Sequence, residues 1–180
     1  MNRLVAWFFV MFLCHFAVAQ DILVDKNARI SFFSEAPLEN IEAVTSKAAS
    51  ALGVKTYEIA FKVPITSFEF EKQLMREHFN ENYLESDKFP YATFNGKIND
   101  PVDWNADGKY AVTVAGILDI HGIKKRYETR ATIEVKGRVI NTHATFVVKI
   151  ADHGIKIPRV VIKNIAEEVA VDVSSTYQKP

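Results

Sequence analysis

Between residues 109 and 150 the chain alternates apolar and polar side chains in three successive runs, with only a tight turn between one run and the next. In 123–135, Tyr127, Thr129, Ala131, Ile133 and Val135 fall on one side, and Lys124, Arg126, Glu128, Arg130, Thr132 and Glu134 on the other. A period of two is the signature of an extended strand with one dry face and one wet face. The run before it, 109–121, places Tyr110, Val112, Val114, Leu118 and Ile120 together, and His121-Gly122 supplies the turn. The run after it, 139–150, places Ile140, Thr142, Ala144, Phe146, Val148 and Ile150 together and is entered through Lys136-Gly137-Arg138. These runs exceed the usual strand of about five or six residues, so the sheet they build is tall.

The same alternation returns at Tyr57, Ile59, Phe61 and Val63, at Val169, Val171 and Val173, and in a strand starting near Tyr91 that carries Phe94 and Ile98. Roughly eight strand candidates result, with hairpin-scale connections and no strand–helix–strand rhythm. An all-β, antiparallel sheet with one wet face must hide its other face by curling into a barrel or a sandwich. The barrel is favoured because it leaves no edge strand. Residues 34–53 are undecided: their alanines permit a helix, whereas Ile41 and Val44 suit a short strand.

The first residues stand apart. Arg3, an apolar run from Leu4 to about Leu13, and Ala17-Val18-Ala19 before Gln20 have the layout of a secretory signal peptide, 1–19. The apolar run is far shorter than the roughly twenty residues that span a bilayer. Cys14, the only cysteine, follows Leu13 rather than a small residue, which argues against a lipid anchor, and it leaves with the leader. The expected product is a single domain, 20–180, exported to the periplasm or otherwise secreted, with no disulfide. Without Arg3 the chain carries 21 cationic side chains against 22 carboxylates, a balance that gives nucleic acid nothing to hold.

One segment breaks the period of two. In 68–90, Phe70, Leu74, Met75, Phe79 and Tyr83 recur at the spacing of one helical face, so an amphipathic helix is expected near 71–85. Asp87, Lys88 and Pro90 end it before the strand at Tyr91. Glu77, Glu81 and Glu85 repeat like charge every four residues, as do Lys72 and Arg76, which weakens the helix in isolation. Tertiary packing must hold it, either as a cap across the open end of a barrel or as part of an ordinary core.

Catalytic patterns are missing from the sequence. His78, His121, His143 and His153 lack metal-ligand spacing, and no nucleophile elbow or phosphate-binding glycine loop is present. Asp100, Asp103, Asn105 and Asp107 lack the register of a calcium loop and read as a polar hairpin turn. No cofactor or metal is expected. Nine phenylalanines remain after the leader, enough to line a pocket or to fill a core.

"SFEFEKQLMREHFNENYLESDKFPYATFNGKI" at 67–98, "GILDIHGIKKRYE" at 116–128 and "IADHGIKIP" at 150–158 resemble the YceI family of lipid- and polyisoprenoid-binding envelope proteins. The similarity rests most on Phe70, Glu71, Lys72, Leu74, Met75, Phe79, Tyr83, Phe89, Pro90 and His121-Gly122. It implies an extended, eight-stranded, antiparallel, lipocalin-like barrel whose apolar lumen holds an isoprenoid or another long-chain amphiphile. Ligand contacts are then expected from Phe68, Phe70, Leu74, Met75, Phe79, Tyr83, Phe94, Val112, Val114, Tyr127 and Phe146, with His78 and His121 as candidates for a polar head. Transient membrane contact would accompany such a role, and the oligomeric state stays open. The sequence departs from the family where Ile150-Ala151 stands before Asp152 in place of an expected arginine, and where 29–55 does not match the glycine-containing barrel strand expected of longer members.

Three functions compete at this stage. A carrier or sequestering protein needs a lined tube and few polar groups. A filled barrel would instead act through protein interaction, for example under stress. An enzyme acting on a bound lipid would use His121, His78 or Tyr127 as acid or base. Small inward residues, Gly116, Thr129, Ala131 and Ala144, favour a cavity.

Overall fold

The computed structural model describes residues 22–35, 40–156 and 167–180, so the expected leader, Cys14 and part of the 150–158 motif lie outside the described residues. In chain order the elements are β1 (Ile22–Ser34), β2 (Ile41–Gly53), β3 (Glu58–Pro64), β4 (Glu69–Phe70), α1 (Gln73–His78), β5 (Tyr91–Ile98), β6 (Gly108–Ile120), β7 (Ile123–Lys136), β8 (Val139–Lys149) and β9 (Glu168–Gln178). Eight long strands pair antiparallel with their neighbours in sequence, and β9 pairs with β1 to close the barrel. The two residues of β4 lie along β2.

The three alternating runs form β6, β7 and β8, with Val112, Val114, Leu118, Ile133, Val135, Ile140 and Val148 buried on the inner face. The undecided segment is a thirteen-residue strand, β2. Its alternation is hard to read because the buried parity slips between Thr45 and Ala48, beside register shifts in the β1–β2 ladder. A bulge adds one residue to one strand and so inverts the faces beyond it.

The barrel has a packed base and an open-chambered upper half. At the base, Leu23, Leu52, Ile98, Val112, Ile133, Ile140 and Tyr177 form one buried cluster. The loop after β5 plugs it from below: Trp104 packs on Tyr57 at 5.6 Å, and the Tyr57 hydroxyl donates to the Val102 carbonyl at 3.1 Å. The acidic turn residues serve the backbone. Asp103 accepts from the amide of Asn105 at 2.9 Å and Asp107 from that of Gly137 at 2.7 Å, while Asp100 accepts from that of Thr113.

The expected helix near 71–85 is shorter. Only Gln73–His78 is α-helical, followed by a π-helical turn over Phe79–Tyr83. No side chain caps the helix at Lys72, and no residue of α1 is buried. Packing therefore holds the segment through the π turn and Leu84 rather than through α1.

Candidate functional site

Above the base the inner face opens into a cavity of about 220 Å³ with an almost wholly apolar wall. Ile30 and Phe32 come from β1, Phe61 and Val63 from β3, Phe94 from β5, Val114 and Leu118 from β6, Phe146 and Val148 from β8, and Val171 and Val173 from β9. The space exists because Ala131 and Ala144, cross-strand partners on β7 and β8, project so little into it. Gly96 and Gly116 are also paired, and a Cβ on either would lie within 2.7 Å of the Phe94 ring. That glycine pair lets the ring lie flat against the wall.

Phe68, Phe79 and Leu84 roof the cavity. Phe79 stacks on Phe32 with ring centroids 5.4 Å apart and meets Phe68 at 5.6 Å and Phe70 at 5.0 Å. The long connection from β4 to β5 thus becomes a roof through one well-packed phenylalanine.

Of the residues expected from the sequence, Phe68, Phe79, Phe94, Val114, Tyr127 and Phe146 stand on the cavity wall. Phe70 packs behind it against Phe32 and Phe79. Val112 belongs to the base core, because the barrel is filled below the level of Val114. Met75 and Tyr83 are half-buried off the wall. Leu74 is 61% exposed and His78 is exposed, both on α1, no residue of which is buried. Phe32, Phe61 and Leu84 were not expected there. Phe61 was legible from the alternation of β3, whereas Phe32 lies beyond the irregularity in β1 that hides its parity.

A polar network borders the roof. His121 places Nε2 2.9 Å from Glu85 Oε2 and Nδ1 3.2 Å from the His153 carbonyl, so both ring nitrogens face acceptors. His153 is fully buried. Its Nδ1 donates to the Ile123 carbonyl at 3.0 Å, which leaves Nε2 to accept from the Tyr127 hydroxyl at 3.1 Å. Burial, helped by the nearby Asp152 carboxylate, raises the Tyr127 pKa above its usual value and keeps the proton that this bond requires. Lys88 and then His121 hydrogen-bond Glu85 and hold its carboxyl below the usual range. Tyr127 and His153 are thus committed to each other. Among the described residues no group of three or more His, Cys, Asp or Glu side chains converges on a metal site.

A closed up-and-down barrel with a packed base and an apolar upper chamber defines a small lipocalin-like barrel. Its sequence then places it: the chain belongs to the YceI-like domain family, which matches residues 23–177. Among solved structures it is similar to a polyisoprenoid-binding domain from Saccharophagus degradans implicated in plant cell wall breakdown, with 16% identity and a TM-score of 0.74 over 89% of this chain and 99% of that one. BcnA of Burkholderia cenocepacia aligns with 16% identity and a TM-score of 0.67 over 83% and 95% of the two chains. The Campylobacter jejuni YCEI protein follows with 14% identity and a TM-score of 0.64 over 81% and 90%. No curated protein matches the sequence.

Proposed function

We propose that this protein is a binding protein, not an enzyme, and that it holds the chain of a polyisoprenoid or another long-chain amphiphile in the barrel's upper chamber after export to the periplasm. The observation that carries this reading is the chamber itself: about 220 Å³ of apolar space above a fully packed base and under an aromatic roof. The fold shared with a polyisoprenoid-binding domain supports the ligand class. Burying about fifteen methylenes yields roughly 12 kcal/mol gross at ~0.8 kcal/mol each, against about 4–15 kcal/mol for association. Micromolar binding then needs no elaborate head-group site, in keeping with a wall nearly free of polar groups. The commitment of Tyr127 to His153 argues against acid–base chemistry on the bound lipid.

Native mass spectrometry of protein purified from its own envelope, followed by lipid extraction, tests the reading. A retained long-chain lipid supports it; a ligand-free protein that also takes up no long-chain probe overturns it. The intact mass of the same sample tests export, with a mature chain starting at Gln20 as the expected product.

A further inference from the structure

The ladder between β7 and β8 runs only from Ala131–Ala144 to Lys136–Val139, at the base side of the chamber. Both strands continue toward the mouth, through residues 123–130 and 145–149, with no backbone pairing between them. Stagger alone would leave one strand overhanging its neighbour; here both run on and the wall splits. Their outer partners stay paired along the split, β6 with β7 from Ile123 to Val135 and β9 with β8 along all of β8.

Among the described residues, side chains close this split. The Thr129 hydroxyl lies 3.3 Å from the Thr145 carbonyl across the split and equally 3.3 Å from that of Arg130, and Tyr127 meets Phe146 edge-on with centroids 6.0 Å apart. The 3-10 turn Ile150–His153 lies beside them and drives the buried His153 ring onto β7, bonded to Ile123 and Tyr127. Gly154, with φ 67°, ends the turn; a Cβ there would lie 2.8 Å from Ile123 Cδ1. Tyr127, Thr129, Phe146 and Val148 are also chamber wall, so the inner side of the split is the cavity. A second divergence, between β1 and β9 at the base, differs: Asp25 takes the Ser175 hydroxyl and the Thr176 amide, each at 2.8 Å, beside the packed base core.

We infer that the β7–β8 seam is the ligand's entrance, that a single alkyl or isoprenoid chain passes through it sideways, and that His153 is the latch that closes it. This rests on the lipid-binding reading of the chamber. Opening the seam parts no backbone ladder, whereas lifting the roof separates Phe79 from Phe32, Phe68 and Phe70 and breaks the Glu85–His121 bond. Sideways entry also lets a polar head remain in water while the chain slides in, so no charged group crosses the apolar wall.

Extending the Ala131–Ala144 register places Glu128 beside Val147, both exposed on the outer face. The test bridges Glu128→Cys and Val147→Cys with a short thiol cross-linker, in a Cys14→Ser background, and measures the uptake rate of a fluorescent anthroyloxy fatty acid by stopped flow. A control bridge joins Ile117→Cys to Arg126→Cys across the complete β6–β7 ladder. The seam bridge is expected to slow uptake about tenfold or more, and the control to leave it within about twofold. His153→Ala, which removes the latch, is expected to speed both uptake and release. Equal uptake with and without a fully formed seam bridge overturns the entrance while leaving the chamber reading intact. A wild-type protein that takes up no probe overturns both.

Discussion

Glu85 and His121 meet with Oε2 and Nε2 2.9 Å apart, and both hold a positive φ, 42° and 55°. Non-glycine residues in that region carry on the order of 1 kcal/mol of strain each, and such strain persists where the surroundings impose it. One residue ends the roof and the other makes the β6–β7 turn, so their bond ties the roof to the rim. Hydrogen bonds from Lys88 and then His121 hold the Glu85 carboxyl below its ordinary value of 4.5. A carboxylate held low adds stability that is fully present above its ordinary value and is lost as pH falls through the lowered folded value. Wild type should melt above Glu85→Gln near neutrality, and the gap should close on acidification below pH 4.5; melting curves of the pair across that range check it.

The roof should depend on one ring rather than on its helix. Phe79→Ala removes three aromatic contacts and should lower stability by about 2–4 kcal/mol while speeding probe release. Leu74→Ala, on the exposed α1, should change stability by less than about 0.5 kcal/mol. Chemical denaturation beside probe dissociation measures both, and equal effects from the two substitutions would count against a roof centred on Phe79.

What the sequence disclosed follows from which contacts are local. Strand faces in β6, β7 and β8 were legible because each alternates without interruption between tight turns. In β1 and β2 the irregular register near Asp25, Ala28 and Ile30 breaks the period of two, and the alanines of β2 carry little bias of their own. The helical spacing of 68–90 was real, yet it marked a π turn around Phe79 more than a helix under Leu74 and Met75. His153 reads as a scattered surface histidine until the chain folds, because its partners Ile123 and Tyr127 lie about thirty residues away. The split between β7 and β8 is a matter of register, which no single strand records.

Tyr177 anchors the base, fully buried, with its hydroxyl bonded to Ser50. Tyr177→Phe should cost about 1–3 kcal/mol, since it leaves buried Ser50 without that partner. Burial holds the Tyr177 pKa above its ordinary 10.0. The neutral form is therefore the stable one, and its contribution holds below that value and is lost as pH rises through the raised folded pKa. Wild type should lose stability above pH 10.0 more steeply than Tyr177→Phe, as urea unfolding at a series of alkaline pH values would show.

The chamber itself can be tested by filling it. Ala131 faces Ala144 across the β7–β8 ladder on the cavity wall, so Ala131→Leu extends an apolar side chain into space that the fold leaves empty. In a true cavity the new group gains contacts without displacing others, and stability should hold within about 1 kcal/mol. Long-chain probe affinity should fall about tenfold or more, because the leucine occupies the ligand's place. Ile133→Ala, one inward position nearer the base, should show the reverse: a loss of about 2–5 kcal/mol with probe affinity nearly unchanged. A lumen already filled by side chains would answer differently. There Ala131→Leu would overpack and cost about 1–3 kcal/mol, with no probe binding to lose, and the binding function would fall with it.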